Sequence, residues 1–297
     1  MDRRSFISKG LLATAACYGA SSAGFSEVFA NVNAKKKKNR IGIQLYSIRD
    51  FLSKDFEGSI KKLSDIGYAY AEAYGFNGEK FLTYTLKETN KMLNDVGMQL
   101  SGTHAGTGWL PEDVSDKAWD YWRKSADAMK AAGGRLIAQS FLPEAKTLDS
   151  LKKLADQFNK IGEICKKGGI KFGYHNHHSE FHPVEENIIY DVLLQNTDPK
   201  LVFFQMDMGH VVNGGGDIMS FVSKYPKRFL SWHASDFKKG QGYVPLGQGD
   251  VPYDQLFKLA KSYGVEDLTM EHESGQDRFK ICEDNFKFLA KYSWTKK

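Results

Sequence analysis

IGIQLYSIRDFLSKDFEGSIKKLSDIG, residues 41–67, is one complete structural unit. A short apolar run, IGIQLYSIR, has the length of a β-strand. A polar stretch follows, and then Ile60, Leu63 and Ile66 recur at helical spacing before Gly67 stops the helix. The same order returns along the rest of the chain. YAYAEAYG (68–75) leads into TLKETNKMLNDVG (85–97), where Thr85 and Glu88 form a capping box and Gly97 ends the helix. MQLSGTHAG (98–106) precedes a helix from Ser115 to Gly133, and RLIAQSFLP (135–143) precedes one from Thr147 to Gly168. IKFGYHNHH (170–178), LVFFQMDMGH (201–210), FLSWHASDF (229–237) and DLTMEHE (267–273) supply the remaining strands.

Strand starts lie roughly 27 to 38 residues apart, as a strand, a crossover helix and two loops require. Eight such units predict a single closed (β/α)8 TIM barrel over residues 41–297. An open doubly wound sheet is the competing architecture. It is disfavoured because eight even units exceed its usual strand count and no Gly-rich phosphate loop follows the first strand.

The chain opens MDRRSFISKGLLATAACYGASSAGFSEVFA. Arg3-Arg4, then Ser5-Phe6-Ile7 and Lys9, a weakly apolar stretch and a small residue at Ala30 have the order of a twin-arginine export signal. Residues 1–30 read as that signal, residues 31–40 as a basic linker, and the mature protein as periplasmic. An amphipathic first helix is the bland alternative, and lipidation at Cys17 the lesser export route, since Thr14-Ala15-Ala16 is a poor lipobox. The apolar part is too short for a stable membrane span, so none is expected after signal removal.

The formal net charge of the whole chain is +5. Leader and linker carry that excess, chiefly on Lys35 to Lys38 and Arg40, and leave the body near neutral. A nucleic-acid surface is therefore not implied. Cys165 and Cys282 lack metal spacing and read as buried apolar residues; no disulfide between them is indicated.

Polar residues cluster at the late ends of the last four strands. HNHHSEF (175–181) follows the fifth, Asp207 ends the sixth, His233 the seventh and Glu271 the eighth. Burying such groups costs several kcal/mol, of order 2–7 for a polar group, unless a partner or metal compensates. Barrels of this kind place their chemistry on that face. Glu180, Asp207, His233 and Glu271 form an oxygen-rich set with one imidazole, which suits Mn2+, Mg2+ or Co2+; Zn2+ also fits. Within HNHHSEF, His175 and His177 compete with Glu180 for the inward position, and of the alternating Glu271 and Glu273 only one faces the centre. Each residue alone also has a structural reading, Asp207 as a loop cap and His233 as a satisfied core histidine.

Six motifs in order, IGIQLYSIRD, GYHNHHSEF, QMDMGHVVNGGGD, WHASDF, VPLGQGDVPYDQLF and MEHE, make the chain resemble the xylose isomerase-like barrel superfamily, and within it the sugar phosphate isomerase/epimerase group. The resemblance covers the body from residue 41. It implies a divalent metal held by Glu180, Asp207, His233 and Glu271, a small sugar substrate and pairing into a homodimer. Members acting on phosphorylated sugars often carry a lysine in the seventh-strand motif. Here Ala234-Ser235 precede Asp236, and Lys238 and Lys239 come later, so a neutral sugar or keto-sugar is the expected substrate.

The expected chemistry is proton abstraction next to a carbonyl, with the metal steadying an enediolate. Glu180 and Glu271 are the first candidates for base and acid, with His104, His177 and His210 as further proton carriers. Glu72, His104, His177, Trp109, Asp236 and Lys238 are candidate substrate contacts, and Phe141 and Trp232 are candidate stacking surfaces. Isomerase or epimerase is the expected activity. A 3-keto-glycoside lyase acting by elimination on the same metal site is the close alternative. An apurinic endonuclease-like nuclease shares the barrel and the Asp207-x-x-His210 spacing but needs more histidine ligands than the early strands offer. A non-catalytic sugar-binding barrel is the remaining reading.

Overall fold

The computed structural model describes residues 39–106 and 115–296. The export signal, Cys17, the linker up to Lys38 and Trp109 lie outside the described residues. Eight strands form the barrel: β1 (Ile41–Gln44), β2 (Tyr70–Phe76), β3 (Gln99–Ala105), β4 (Leu136–Gln139), β5 (Lys171–His175), β6 (Val202–Asp207), β7 (Ser231–Ala234) and β8 (Asp267–Met270). Every neighbour pair runs parallel, and β8 pairs with β1 to close the ring. The expected (β/α)8 barrel is what forms.

The crossover helices are α1 (Phe56–Ile66), α2 (Leu86–Asp95), α3 (Asp116–Ala131), α4 (Leu148–Lys167), α5 (Ile189–Asn196), α6 (Ile218–Lys224), α7 (Tyr253–Leu259) and α8 (Arg278–Leu289). The Thr85–Glu88 capping box at the start of α2 is present, satisfying two of the amide donors that a helix start leaves open. Their apolar faces and the outward faces of the strands make one core around Trp122, Phe158, Phe172, Tyr190, Phe204 and Trp232. Burying a large apolar side chain of this kind contributes about 1.5–3 kcal/mol. Trp232, a candidate stacking surface, belongs to this core.

The lower end of the barrel is filled. Tyr70 lies over Gly42 of β1, where a Cβ would meet the tyrosine ring at 1.9 Å, and its hydroxyl accepts from the Leu268 N–H of β8 at 2.7 Å. Arg135 of the β3–β4 connection pairs with Asp267 beside it. The segment before β1 meets the C-terminal segment, since Arg40 N–H donates to Thr295 O at 2.9 Å. Among the described residues, no helix is long and apolar enough to cross a membrane.

Candidate metal centre and acid–base site

Side chains alternate along a strand, so residues two apart share a face. On β6 that rule turns Gln205 and Asp207 the same way, and parallel register sets them beside Ser231 and His233 of β7. The same alternation turns Gly173 and His175 of β5 inward, with His175 in register with Gln205. Glu72 on β2 is level with Gln44 on β1. The upper barrel is thereby lined with polar groups, nearly all buried, each needing a partner.

Those partners form one continuous network. His104 Nε2 lies 2.8 Å from Glu72 Oε1 and 2.7 Å from Gln205 Oε1. Both neighbours are acceptors, so His104 Nε2 carries a proton toward them. The Gln205 amide nitrogen donates to Glu72 Oε2 at 2.9 Å and to Ser231 Oγ at 3.1 Å. His233 is held at both ends, Nδ1 2.7 Å from Glu271 Oε2 and Nε2 3.3 Å from Glu72 Oε2. The His104 and His233 rings stack with centroids 5.3 Å apart.

Charge follows from this packing. Burial works to raise the Glu72 carboxyl, but His104 and His233 outweigh it and hold the group well below the usual carboxylate range. Burial opposes charge on His233 as well, yet Glu72 and Glu271 push it up to about 10. His175 goes the other way: burial, then the histidines around it, hold it well below its ordinary value, and its Nδ1 has no hydrogen-bond partner. A neutral imidazole with an orphaned nitrogen is the form that ligates a cation.

His175, Asp207, His233 and Glu271 offer ligand atoms that all lie within 4.8 Å of one another. Two nitrogens and two carboxylate oxygens in that compass fit a divalent cation. Three of the four residues expected to converge do so. Glu180 is outside this set. The fifth strand stops at His175, and Glu180 sits on a 3-10 turn, Ser179–Phe181. There its carboxylate accepts from the Tyr174 hydroxyl, from the His177 N–H at 3.0 Å and from the Ser179 hydroxyl at 2.8 Å. His175 stands in this set instead, and Glu180 lies on the turn after β5.

Asp207 also caps the helical turn Met208–Asn213 that follows it, its Oδ1 accepting from the His210 N–H at 2.8 Å and from the Ser235 hydroxyl. Asn176, just after β5, braces its backbone, giving and receiving bonds of 3.2 and 3.1 Å. His177 and His210 lie at the mouth with ring centroids 4.7 Å apart. His210 is held by the Tyr243 hydroxyl and by Glu273, 3.3 Å away. Burial opposes its charge, but Asp207 and Glu273 carry its pKa up to about 9. Of the two alternating glutamates, Glu271 faces the ligand set and Glu273 faces His210.

Two expected substrate contacts, Asp236 and Lys238, have partners within the chain. Asp236 accepts backbone N–H bonds from Phe237, Gly247, Gly249 and Val251 at 2.8 to 3.2 Å. Its carboxylate clasps the loop that follows the hairpin Asp236–Lys238/Gly242–Val244, so it is a structural buckle. Lys238 Nζ reaches the Gln248 carbonyl at 3.5 Å, outside the ligand set. Gln205, Tyr243 and Asn176 had no expected role. Gln205 had a signal, a lone amide in the apolar run LVFFQM two positions before Asp207.

A family model for the xylose isomerase-like TIM barrel matches residues 60–292, and the chain belongs to that family. An inosose dehydratase of Geobacillus kaustophilus is 33% identical over 195 residues, 60% of this chain and 61% of that protein. One from Clostridium perfringens is 32% identical over 134 residues, 39% of this chain and 44% of that protein. These matches span less than two thirds of the relatives' own length. Among solved structures, a sugar phosphate isomerase/epimerase of Parabacteroides distasonis superposes with a TM-score of 0.78 at 26% identity, covering 87% of this chain and 96% of that one.

Proposed function

We propose that the chain is a divalent-cation-dependent enzyme that removes a proton from the carbon beside the carbonyl of a neutral sugar or keto-sugar, with isomerisation or epimerisation as the outcome. The observation that carries this reading is the convergence of His175, Asp207, His233 and Glu271 within 4.8 Å, with the His104–Glu72 pair directly behind it. When bound by these residues, the cation would stabilise negative charge on the carbonyl oxygen.

The chain's own groups do the rest. Glu72 and Gln205 hold His104 through Nε2, which leaves Nδ1 as the ring atom that would take the substrate proton, with Glu72 placed to stabilise the charge. His177 at the mouth is the second proton carrier. Burial, with His210 beside it, keeps its pKa below the ordinary value. Glu271 keeps the role of a ligand that can also accept a proton. The similarity to a sugar phosphate isomerase/epimerase supports the outcome. The substrate is a neutral one, because Lys238 Nζ is turned to the Gln248 carbonyl, 3.5 Å away.

Elimination is the second reading, and the inosose dehydratase relatives favour it. It shares the first proton abstraction and uses His177 as the acid for a departing group. Export by the twin-arginine signal and pairing into a homodimer are further proposals that rest on the sequence.

The test uses protein stripped of metal and reloaded with Mn2+, incubated in D2O with ketoses and with 3-keto-glycosides and followed by NMR. Deuterium at the carbon beside the carbonyl, with aldose–ketose or epimer exchange, is the expected result. Release of an aglycone without that exchange moves the assignment to elimination. No deuterium in any substrate overturns the reading.

A further inference from the structure

The ring of His177 lies between two other imidazoles, its centroid 5.2 Å from that of His175 and 4.7 Å from that of His210. His175 belongs to the ligand set. His210, on the other side, is buried and gripped at both nitrogens. The Tyr243 hydroxyl hydrogen-bonds its Nδ1, and Glu273 Oε1 stands 3.3 Å from its Nε2. An imidazole held at both ends keeps one ring plane. The wall on which His177 packs is therefore set by Tyr243 and Glu273.

These two holders come from different parts of the chain. Glu273 follows β8, two positions after Glu271. Tyr243 comes from the hairpin Asp236–Lys238/Gly242–Val244, where it stands opposite Phe237 and the two rings meet edge-on at 5.4 Å. Asn213 Nδ2 donates to the same hydroxyl at 3.5 Å. Asp236 ties the base of the hairpin to the loop beyond it. A braced strand thus delivers the hydroxyl to His210.

We propose that Tyr243 is a positioning residue: through His210 it fixes the ring of His177, and so governs how often a proton reaches the second site of the reaction. This deepens the proposed function and rests on it. In that reading His104 takes the proton from the carbon beside the carbonyl, and the electron pair stays behind in an enediolate. The enediolate has two fates. His104 returns a proton to the same carbon and regenerates substrate, or His177 supplies one elsewhere and completes the reaction. A His177 ring that is free to turn favours the first fate.

Tyr243→Phe removes the hydroxyl and keeps the ring that meets Phe237. Wild type and variant, both loaded with diamagnetic Mg2+, are incubated in D2O with ketoses and with 3-keto-glycosides, and NMR reads deuterium in recovered substrate separately from product. The ratio of labelled substrate to product is expected to rise about tenfold in the variant, the scale of one lost hydrogen bond, with KM and melting temperature unchanged. An unchanged ratio overturns the proposal. So does a rise in KM alone, or an equal fall of labelling and product formation, because a lost substrate contact or a loosened fold produces those. A second measurement needs no turnover. In the same proteins labelled with 15N-histidine, the ring signals of His210 and His177, assigned through His210→Gln and His177→Gln, are expected to shift in Tyr243→Phe while those of His104 stay. Unmoved His210 and His177 signals overturn the proposal. Shifted signals in a protein whose wild type labels no substrate keep the link from Tyr243 to His177 and remove the proposed chemistry, together with the role built on it.

Discussion

Glu72 of β2 reaches across the barrel to His233 of β7, placing Oε2 3.3 Å from Nε2, while its other oxygen stands 2.8 Å from His104 Nε2. One carboxylate thus orients two imidazoles, one in the proposed ligand set and one in the proposed proton path. Such outer carboxylates typically change metal affinity 10–100-fold. Glu72→Gln is expected to weaken Mn2+ binding by about that factor in calorimetry, and to lower turnover further when metal is saturating. Unchanged Mn2+ affinity would show that Glu72 does not orient His233.

His175 and Glu180 should separate cleanly. His175→Ala removes one of four donors and is expected to abolish stoichiometric Mn2+ binding while the fold persists. Glu180→Ala strands the Tyr174 and Ser179 hydroxyls and the His177 N–H, at a cost of about 1–3 kcal/mol, yet should still bind one ion. The reverse pattern in paired melting and metal titrations would restore Glu180 as the ligand.

Asp236→Ala should behave as a loop mutation. Four backbone donors lose their common acceptor, and the melting temperature should fall, whereas Lys238→Ala should change neither melting nor metal binding. If Asp236→Ala left stability intact and raised KM alone, the clasp would be secondary to substrate contact.

Burial pushes the Cys165 and Cys282 thiols up to about 12, and both are free. At pH 8 nearly every molecule carries the unreactive thiol form, since thiolate appears only as pH approaches the raised pKa. Neither should react with a thiol reagent until the protein unfolds. Modification in the native state would contradict the packing of α4 and α8.

Replacing Arg3-Arg4 by two lysines is expected to retain the protein in the cytoplasm, as judged by fractionation. Periplasmic protein from that variant would rule out the twin-arginine route.

The barrel was legible because its pattern is periodic: an apolar run and a helix recur, and each of the first four crossover helices runs into a glycine. The convergence of Asp207, His233 and Glu271 was legible for a related reason: Asp207 ends β6, His233 lies within β7 and Glu271 directly follows β8, where alternation assigns the face. Glu180 broke that logic. Alternation holds only while the backbone is extended, and β5 stops at His175. Beyond it, the side-chain direction is set by the Tyr174 hydroxyl, a contact that pattern cannot supply. Asp236 was singled out as a substrate contact, but its loop partners were not legible, since the donors it binds lie 11 to 15 residues ahead.

Tyr70, stretched over Gly42 to the backbone of β8, gives the barrel a closed bottom. Whatever enters must leave by the way it came. A substrate held at the cluster of ligands would then use one opening for entry and departure, so product must clear it before the next molecule binds.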